Sequence, residues 1–192
     1  MQRHASYTLH RSLAACIAFA LLASGTPAAR AADPKPAAGR DGWFEGVPRD
    51  HSFRVRGPAA FETFHQEDGK DPAHAPRTEG VRATQPAAFD GVNRYMASCV
   101  VQEGDRRDAK QRIEETLAHW SAQAKFLYQR PARAGKLDGT EFQIADRTKT
   151  MRVRVFATRT RTCTVLVQWN RAAKPREDDV VRFLDSFTPS ER

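Results

Sequence analysis

Several short stretches of this 192-residue chain alternate apolar with polar or basic residues, the period of a half-buried β-strand. The first is Phe53-Arg54-Val55-Arg56, which Gly57-Pro58 ends. The polar segment 66–84 predicts a long exposed loop with one short strand near Val81. The remaining alternating stretches predict a strand over 93–102 and an antiparallel meander over 137–144, 151–155 and 163–169.

Two other stretches have the period of a helix. Apolar residues recur every three or four positions from Ala109 to Leu127, and Asp105 is the predicted N-cap. A second stripe, from Val180 to Phe187, follows three acidic residues and predicts a helix from about Glu177 to Phe187. The order of elements predicts an α+β fold in which helices cover an antiparallel sheet.

The last helix resembles the ending of a known family. Residues 179–187 read Asp-Val-Val-Arg-Phe-Leu-Asp-Ser-Phe after a strand–turn–strand unit, as in small secreted bacterial proteins with the Mog1/PsbP-like fold. The chain departs from that pattern in segment 65–86 and at Cys163. The resemblance implies an α/β/α sandwich that serves as a binding or assembly factor, with no shared catalytic residue. Shorter matches are Phe53-Arg54-Val55 with Pro58, Tyr95-Met96-Ala97-Ser98, Gly139-Thr140-Glu141 and Arg154.

Residues 1–31 have the three parts of a secretory signal peptide. Basic residues precede an apolar run over 13–22, and Ala29-Arg30-Ala31 matches the motif that signal peptidase cuts. The run has about ten residues, while a spanning helix needs roughly 20. We expect cleavage near Ala31 and a soluble periplasmic or secreted protein without a transmembrane anchor. Lipid modification of Cys16 is the alternative, although most of the apolar run follows Cys16.

Composition predicts one ordinary globular domain after the signal. Residues 32–41 have no apolar period and predict a flexible leader, followed by a single α+β domain over 42–189. Without Arg3, Arg11 and Arg30 the 31 basic residues become 28, against 23 acidic ones, a net charge of +5. This surplus is modest and unevenly spread along the chain, and arginine supplies most of it.

Two cysteines remain after the signal, Cys99 and Cys163. An even pair in an oxidising compartment favours a disulfide, and two buried thiols are the alternative. Neither cysteine belongs to a Cys-x-x-Cys motif or a metal-type cluster, so we predict a structural role.

Basic residues are concentrated late in the chain. From 147 to 176 there are nine basic residues and no acidic one. The strand pattern makes four of them candidates for contact with an anionic lipid, lipopolysaccharide or acidic protein; the alternative is a solvated face that protects an edge strand. Nucleic acid is not predicted as a partner, because aromatic residues do not interleave with the bases. The four candidates are Arg152, Arg154, Arg159 and Arg161.

The sequence contains no nucleophile elbow, P-loop, zincin motif or dinucleotide fingerprint. We therefore predict no catalytic residue and no cofactor, and a non-enzymatic binding or assembly protein that engages an envelope component or partner protein. The alternative is an envelope hydrolase or metal-dependent enzyme that uses the loop residues His65, Glu67 and His74, whose spacing matches no specific metal site. A pure binder of anionic lipid is a third possibility.

Overall fold

Strands dominate the part of the chain that the structure describes. The computed structural model describes residues 38–67, 76–84, 91–101 and 106–190, and 53% of these are in strands. The predicted signal peptide, Cys16, His74 and Asp105 lie outside these ranges. The strands are β1 (Phe44–Gly46), β2 (Phe53–Gly57), β3 (Glu62–Glu67), β4 (Arg77–Thr84), β5 (Val92–Val101), β6 (Lys125–Ala134), β7 (Leu137–Ala145), β8 (Lys149–Ala157), β9 (Arg161–Asn170) and β10 (Thr188–Pro189), and the helices are α1 (Ala109–Ser121) and α2 (Glu177–Asp185).

The strands form two antiparallel sheets. The larger sheet has seven strands in the order β3-β4-β5-β9-β8-β7-β6, and the smaller one has the order β1-β2-β10. The predicted meander is present as β7, β8 and β9, which are three of the five inner strands of the larger sheet. Thus β8 and β9 are inner strands, while β3 and β6 form the two edges.

The expected fold class, a helix-covered α/β/α sandwich of Mog1/PsbP-like type, is wrong. The described chain is mostly β, with ten strands in two antiparallel sheets and only two short helices. Two segments account for much of the difference. Residues 62–67 form the edge strand β3. Residues 125–134 form the other edge strand β6, although the apolar stripe extends the predicted first helix to Leu127.

The first helix is shorter than its apolar stripe. Its N-cap is Asp108 and not the predicted Asp105. The Asp108 carboxylate accepts from the Gln111 backbone N–H while the Gln111 side chain accepts from the Asp108 N–H, a reciprocal cap. It ends at Ser121, and Leu127, the last residue of the stripe, is 56% exposed. Phe126 stacks on Phe142 with ring centroids 4.9 Å apart. It therefore contributes to the apolar core from a strand, and a longer helix is not needed to bury it.

Apolar side chains cover both faces of the larger sheet. On one face α1 packs on strands β7 to β9 through Ile113, Leu117 and Trp120. On the other face α2 and the smaller sheet cover β4, β5 and β9, with Phe183 against Tyr95 at 5.0 Å. We call the second face the α2 face.

Two glycines have separate roles at the start of β7. Asp138-Gly139 belongs to β7, and the turn before it contains Gly135, with φ of 57°. At Gly139 a Cβ atom would lie 2.3 Å from the Val155 carbonyl oxygen, closer than atoms can approach. Gly139 therefore allows close approach of β7 to β8, while Gly135 provides the left-handed turn.

Candidate functional site: charged groups on the α2 face

Strand register divides the α2 face into an apolar and a charged half. Register partners form a row across six neighbouring strands. The row begins with the apolar residues Val81, Ala97 and Val165 and continues on the next three strands with Arg154, Glu141 and Arg130. The neighbouring level repeats the division, with Ala83, Tyr95 and Val167 followed by Arg152, Gln143 and Tyr128. Helix α2 covers the apolar half, and its ends reach the charged half.

Arg154, a predicted anion contact, is buried between two carboxylates. It is 9% exposed, its Nε donates to Glu141 Oε2 at 2.7 Å, and its NH1 donates to Asp185 Oδ1 at 2.6 Å. Asp185 is the last residue of α2, where the helix dipole disfavours an anion. Arg154 therefore offsets an unfavourable charge at the end of α2.

Arg152, the next candidate, is also 9% exposed and binds the first residue of α2. Its guanidinium donates to both oxygens of Glu177, with NH2 to Oε2 at 3.1 Å, and to Gln143 Oε1. Burial by itself would lower the pKa of Arg152, but the hydrogen bond to Glu177 and the charges of the neighbouring acidic groups together outweigh burial and raise that pKa. The two arginines thus attach both ends of α2 to strand β8.

Glu141 is the centre of this charged half. It is 1% exposed and accepts from three donors: Arg154, Arg130 NH2 at 2.6 Å and the Tyr128 hydroxyl at 2.8 Å. Burial would raise the pKa of Glu141, but these hydrogen bonds and charges outweigh burial and hold it below its ordinary value. Burial and the hydrogen bond to Glu141 raise the pKa of Tyr128 to about 12. With Asp185, which also binds Arg154, the two carboxylates balance the two guanidiniums, while the Tyr128 hydroxyl stays neutral.

Arg159 and Arg161, the other two candidates, lie at the turn between β8 and β9. Arg159 is exposed and Arg161 half-buried, and neither side chain forms an ion pair with a described residue. Two hydrogen bonds stabilise the turn. The Arg159 carbonyl accepts from Arg112 NH2 at 3.0 Å, and Thr158 Oγ1 accepts from the Arg161 N–H. The structure therefore divides the four candidates into two buried and two accessible arginines.

Other basic residues share this end of the larger sheet, which we call the hairpin end. It comprises the β8–β9 turn (158–160), the β6–β7 turn (135–136) and the residues just before α1. Arg133 contributes a pair with Asp138 at 3.6 Å in which both side chains are largely exposed. These residues are far apart in sequence, so no local pattern groups them. The basic residues are Arg106, Arg107, Arg133, Lys136, Arg159 and Arg161, of which Arg107 pairs with Glu115.

His65 and Glu67 lie on the edge strand β3, and Glu79 lies on the neighbouring strand β4. Strand register places Glu67 level with Arg77, Val101 and Arg161, so this cluster is at the hairpin end of the sheet, three strands away from Arg161. His65 Nδ1 lies 2.5 Å from Glu79 Oε1, and His65 Nε2 lies 3.2 Å from Glu67 Oε1. The hydrogen bonds to Glu79 and Glu67 raise the pKa of His65. Because the two carboxylates face opposite ring nitrogens, they do not converge on one point where a metal ion could sit. Within the described residues no group of three ligands could hold a metal.

The predicted disulfide is confirmed. Cys99 and Cys163 are directly paired across β5 and β9, and a bond joins their sulfur atoms. Both residues are buried, at 0% and 6% exposed, so the bond is shielded from solvent. Disulfides of this kind are typical of oxidising compartments, which is compatible with an extracytoplasmic location.

A groove of about 580 Å³ runs along the outer side of α2. Its lining combines two arginines and two aspartates with one apolar residue and one serine. Asp185 belongs both to the groove and to the buried pair with Arg154. The lining residues are Arg56, Asp178, Val181, Arg182, Asp185 and Ser186.

No helix among the described residues has the length and apolar character needed to cross a membrane. Comparison with known proteins found no matching protein-family model and no matching curated protein.

Proposed function

We propose that this protein is a non-enzymatic, extracytoplasmic binding or assembly protein that contacts an acidic partner protein of the cell envelope through its hairpin end. The disulfide and the predicted export signal support the location. The resemblance to Mog1/PsbP-like proteins, which implies a binding or assembly role, stays a prediction.

The observation that carries the proposal is the contrast between two arginine pairs on one hairpin. Arg152 and Arg154 are each bound by carboxylates, whereas Arg159 and Arg161 form no ion pair with a described residue. A charged side chain in water needs no partner, but accessible like charges concentrated at one end of a sheet attract an oppositely charged surface.

Edge protection does not explain these charges. Lysine and arginine often shield an edge strand from pairing with another chain. Here, however, β8 and β9 are inner strands with a neighbour on each side, so their connecting turn has no free edge to protect. The position of Arg159 and Arg161 therefore favours a contact surface over edge protection.

The alternative of a metal-dependent enzyme has no supporting geometry among the described residues. The carboxylates of Glu67 and Glu79 face different nitrogens of His65, and His74 lies outside the described ranges. Glu141, the most buried carboxylate of the charged half, is engaged by three donors and has no accessible lone pair to act as a base.

The test compares two charge-matched variants at opposite ends of the same sheet. Arg159→Gln/Arg161→Gln removes two charges from the hairpin end, and Arg147→Gln/Lys149→Gln removes two exposed charges from the β7–β8 turn at the other end. Envelope proteins crosslinked to the wild type in cells are purified, and their binding is measured by surface plasmon resonance at several salt concentrations.

Loss of the hairpin charges should slow association about tenfold and weaken its salt dependence, because electrostatic steering acts mainly on association. The control variant should associate like the wild type. Equal effects of the two variants would overturn the proposal, since they would show non-specific attraction. Binding of the wild type to phosphatidylglycerol vesicles but to no purified protein would also overturn it, in favour of a lipid ligand.

A further inference from the structure

A single carboxylate, that of Asp41, is held between two arginines from different elements. Asp41 Oδ1 accepts from Arg56 NH2 at 2.7 Å, and Asp41 Oδ2 accepts from Arg182 NH2. The Trp43 backbone N–H donates to the same Asp41 carboxylate at 3.3 Å, and the Arg182 guanidinium lies 4.0 Å above the Trp43 ring. Two guanidiniums and one backbone N–H thus bind one carboxylate, and the Trp43 ring packs against one of those guanidiniums.

The three charged groups are accessible, whereas Trp43 is 6% exposed and belongs to the core. The side chains of Arg56 and Arg182 are each 45% exposed and that of Asp41 is 36% exposed. Arg56 and Arg182 also line the groove beside α2, so a ligand in the groove could reach both guanidiniums. The surroundings therefore allow another carboxylate to replace that of Asp41.

Asp41 belongs to a short local segment. The Gly39 N–H donates to the Trp43 carbonyl, the Gly42 N–H donates to the Gly39 carbonyl, and Gly42 has φ of 76°. This turn presents Asp41 to the two arginines without a strand pairing of its own. Opening the turn would break few contacts and would leave the arginines in place, since Arg56 belongs to β2 and Arg182 to α2.

We propose that Arg56, Arg182 and Trp43 form a recognition site for a single carboxylate of a partner polypeptide, and that Asp41 occupies this site in the free protein as an intramolecular competitor. Guanidiniums with a fixed fork geometry are well suited to bind carboxylates. Asp178 and Asp185 also line the groove and repel further negative charge, so the site favours an isolated acidic residue beside apolar or basic ones.

Occupation of the site by Asp41 should lower the affinity for a competing carboxylate by a definite factor. A ligand that binds only the open form has its apparent affinity reduced by the fraction of molecules that are open. Removing the Asp41 charge makes every molecule open. If about one molecule in ten is open in the wild type, the variant binds about tenfold tighter.

The experiment titrates acetyl-Gly-Asp-Gly-amide, and its Asn counterpart as a control peptide, into full-length mature protein while the Trp43 indole N–H is followed by NMR. Asp41→Asn should bind the Asp peptide about tenfold tighter than the wild type does. Glu45→Gln is the matched control, because it removes another exposed carboxylate from an arginine, Arg54, at 3.9 Å. It should bind like the wild type.

Two further variants test the mechanism. Adding Arg182→Gln to Asp41→Asn should abolish the gain. Gly42→Ala keeps the Asp41 carboxylate but strains a turn with positive φ, so it should tighten binding to an intermediate degree even if Asp41→Asn were to unfold. If neither Asp41→Asn nor Gly42→Ala binds the Asp peptide more tightly than Glu45→Gln does, Asp41 is only an anchor and the proposal is overturned.

Discussion

Glu141 accepts a hydrogen bond from Arg154 at 2.7 Å although the two residues are only 1% and 9% exposed. A buried ion pair gains little over an apolar pair of the same volume, but removal of one partner leaves an uncompensated charge. Here Arg154 also binds Asp185, so the pair links the inner strands of the sheet to the end of α2. We expect it to be the most sensitive polar contact of the fold.

Replacement of Glu141 by Gln should lower the free energy of unfolding by about 3 kcal/mol, because Arg154 and Arg130 then lose their buried anion. Asp138→Asn is the matched control, because Asp138 lies on the same strand as Glu141 but pairs with Arg133 of β6 in solvent. The side chains of Arg133 and Asp138 are 72% and 89% exposed. That change should cost less than about 1 kcal/mol. Urea unfolding measures both, and equal losses would contradict the central role of Glu141.

The two arginine pairs of the β8–β9 hairpin should differ in stability as well as in binding. Arg152→Gln/Arg154→Gln should destabilise the fold by several kcal/mol, since Glu177, Asp185 and Glu141 lose their cations. Arg159→Gln/Arg161→Gln should change stability by about 0.5 kcal/mol or less, as expected for surface substitutions. Thermal unfolding followed by circular dichroism distinguishes them. Equal melting temperatures would show that attachment of α2 does not depend on its ion pairs.

Stability should fall in acid partly through Glu141. Its pKa is lower in the folded protein than its ordinary value of 4.5, so the unfolded chain binds the proton more readily. The contribution is therefore complete above the ordinary pKa and is lost as the pH falls through the folded value. Between about pH 6 and pH 3 the wild type should lose more stability than Glu141→Gln does. Parallel curves for the two proteins would contradict this assignment.

Reduction of the disulfide should also destabilise the protein. The bond joins residues 64 positions apart, and the chain-entropy model gives about 4 kcal/mol for a loop of that length. Guanidinium unfolding with and without reductant measures the loss. Thiol titration of denatured, unreduced mature protein should find no free cysteine, and two free thiols per chain would contradict the bond.

Elements with a strong local period were predictable from sequence alone. The alternation in β2, β5, β8 and β9 and the stripe of α2 specify which residues face the core, so these elements lie within a few residues of their predicted bounds. Segments that fit two periods were not predictable. Ala124 and Leu127 continue the helical stripe of α1, yet residues 125–134 form β6, in which Phe126 packs on Phe142.

The disulfide and the charge surplus could likewise be anticipated from residue counts, whereas the role of each arginine could not. Along the sequence Arg152, Arg154, Arg159 and Arg161 are equivalent basic residues of one hairpin. Only the packing of α2 against the sheet brings Glu177 and Asp185 to Arg152 and Arg154, and only strand pairing places Glu141 beside Arg154. Sequence period reports which side of a strand a residue occupies, while the charge that a site presents depends on the distant groups that fold onto it.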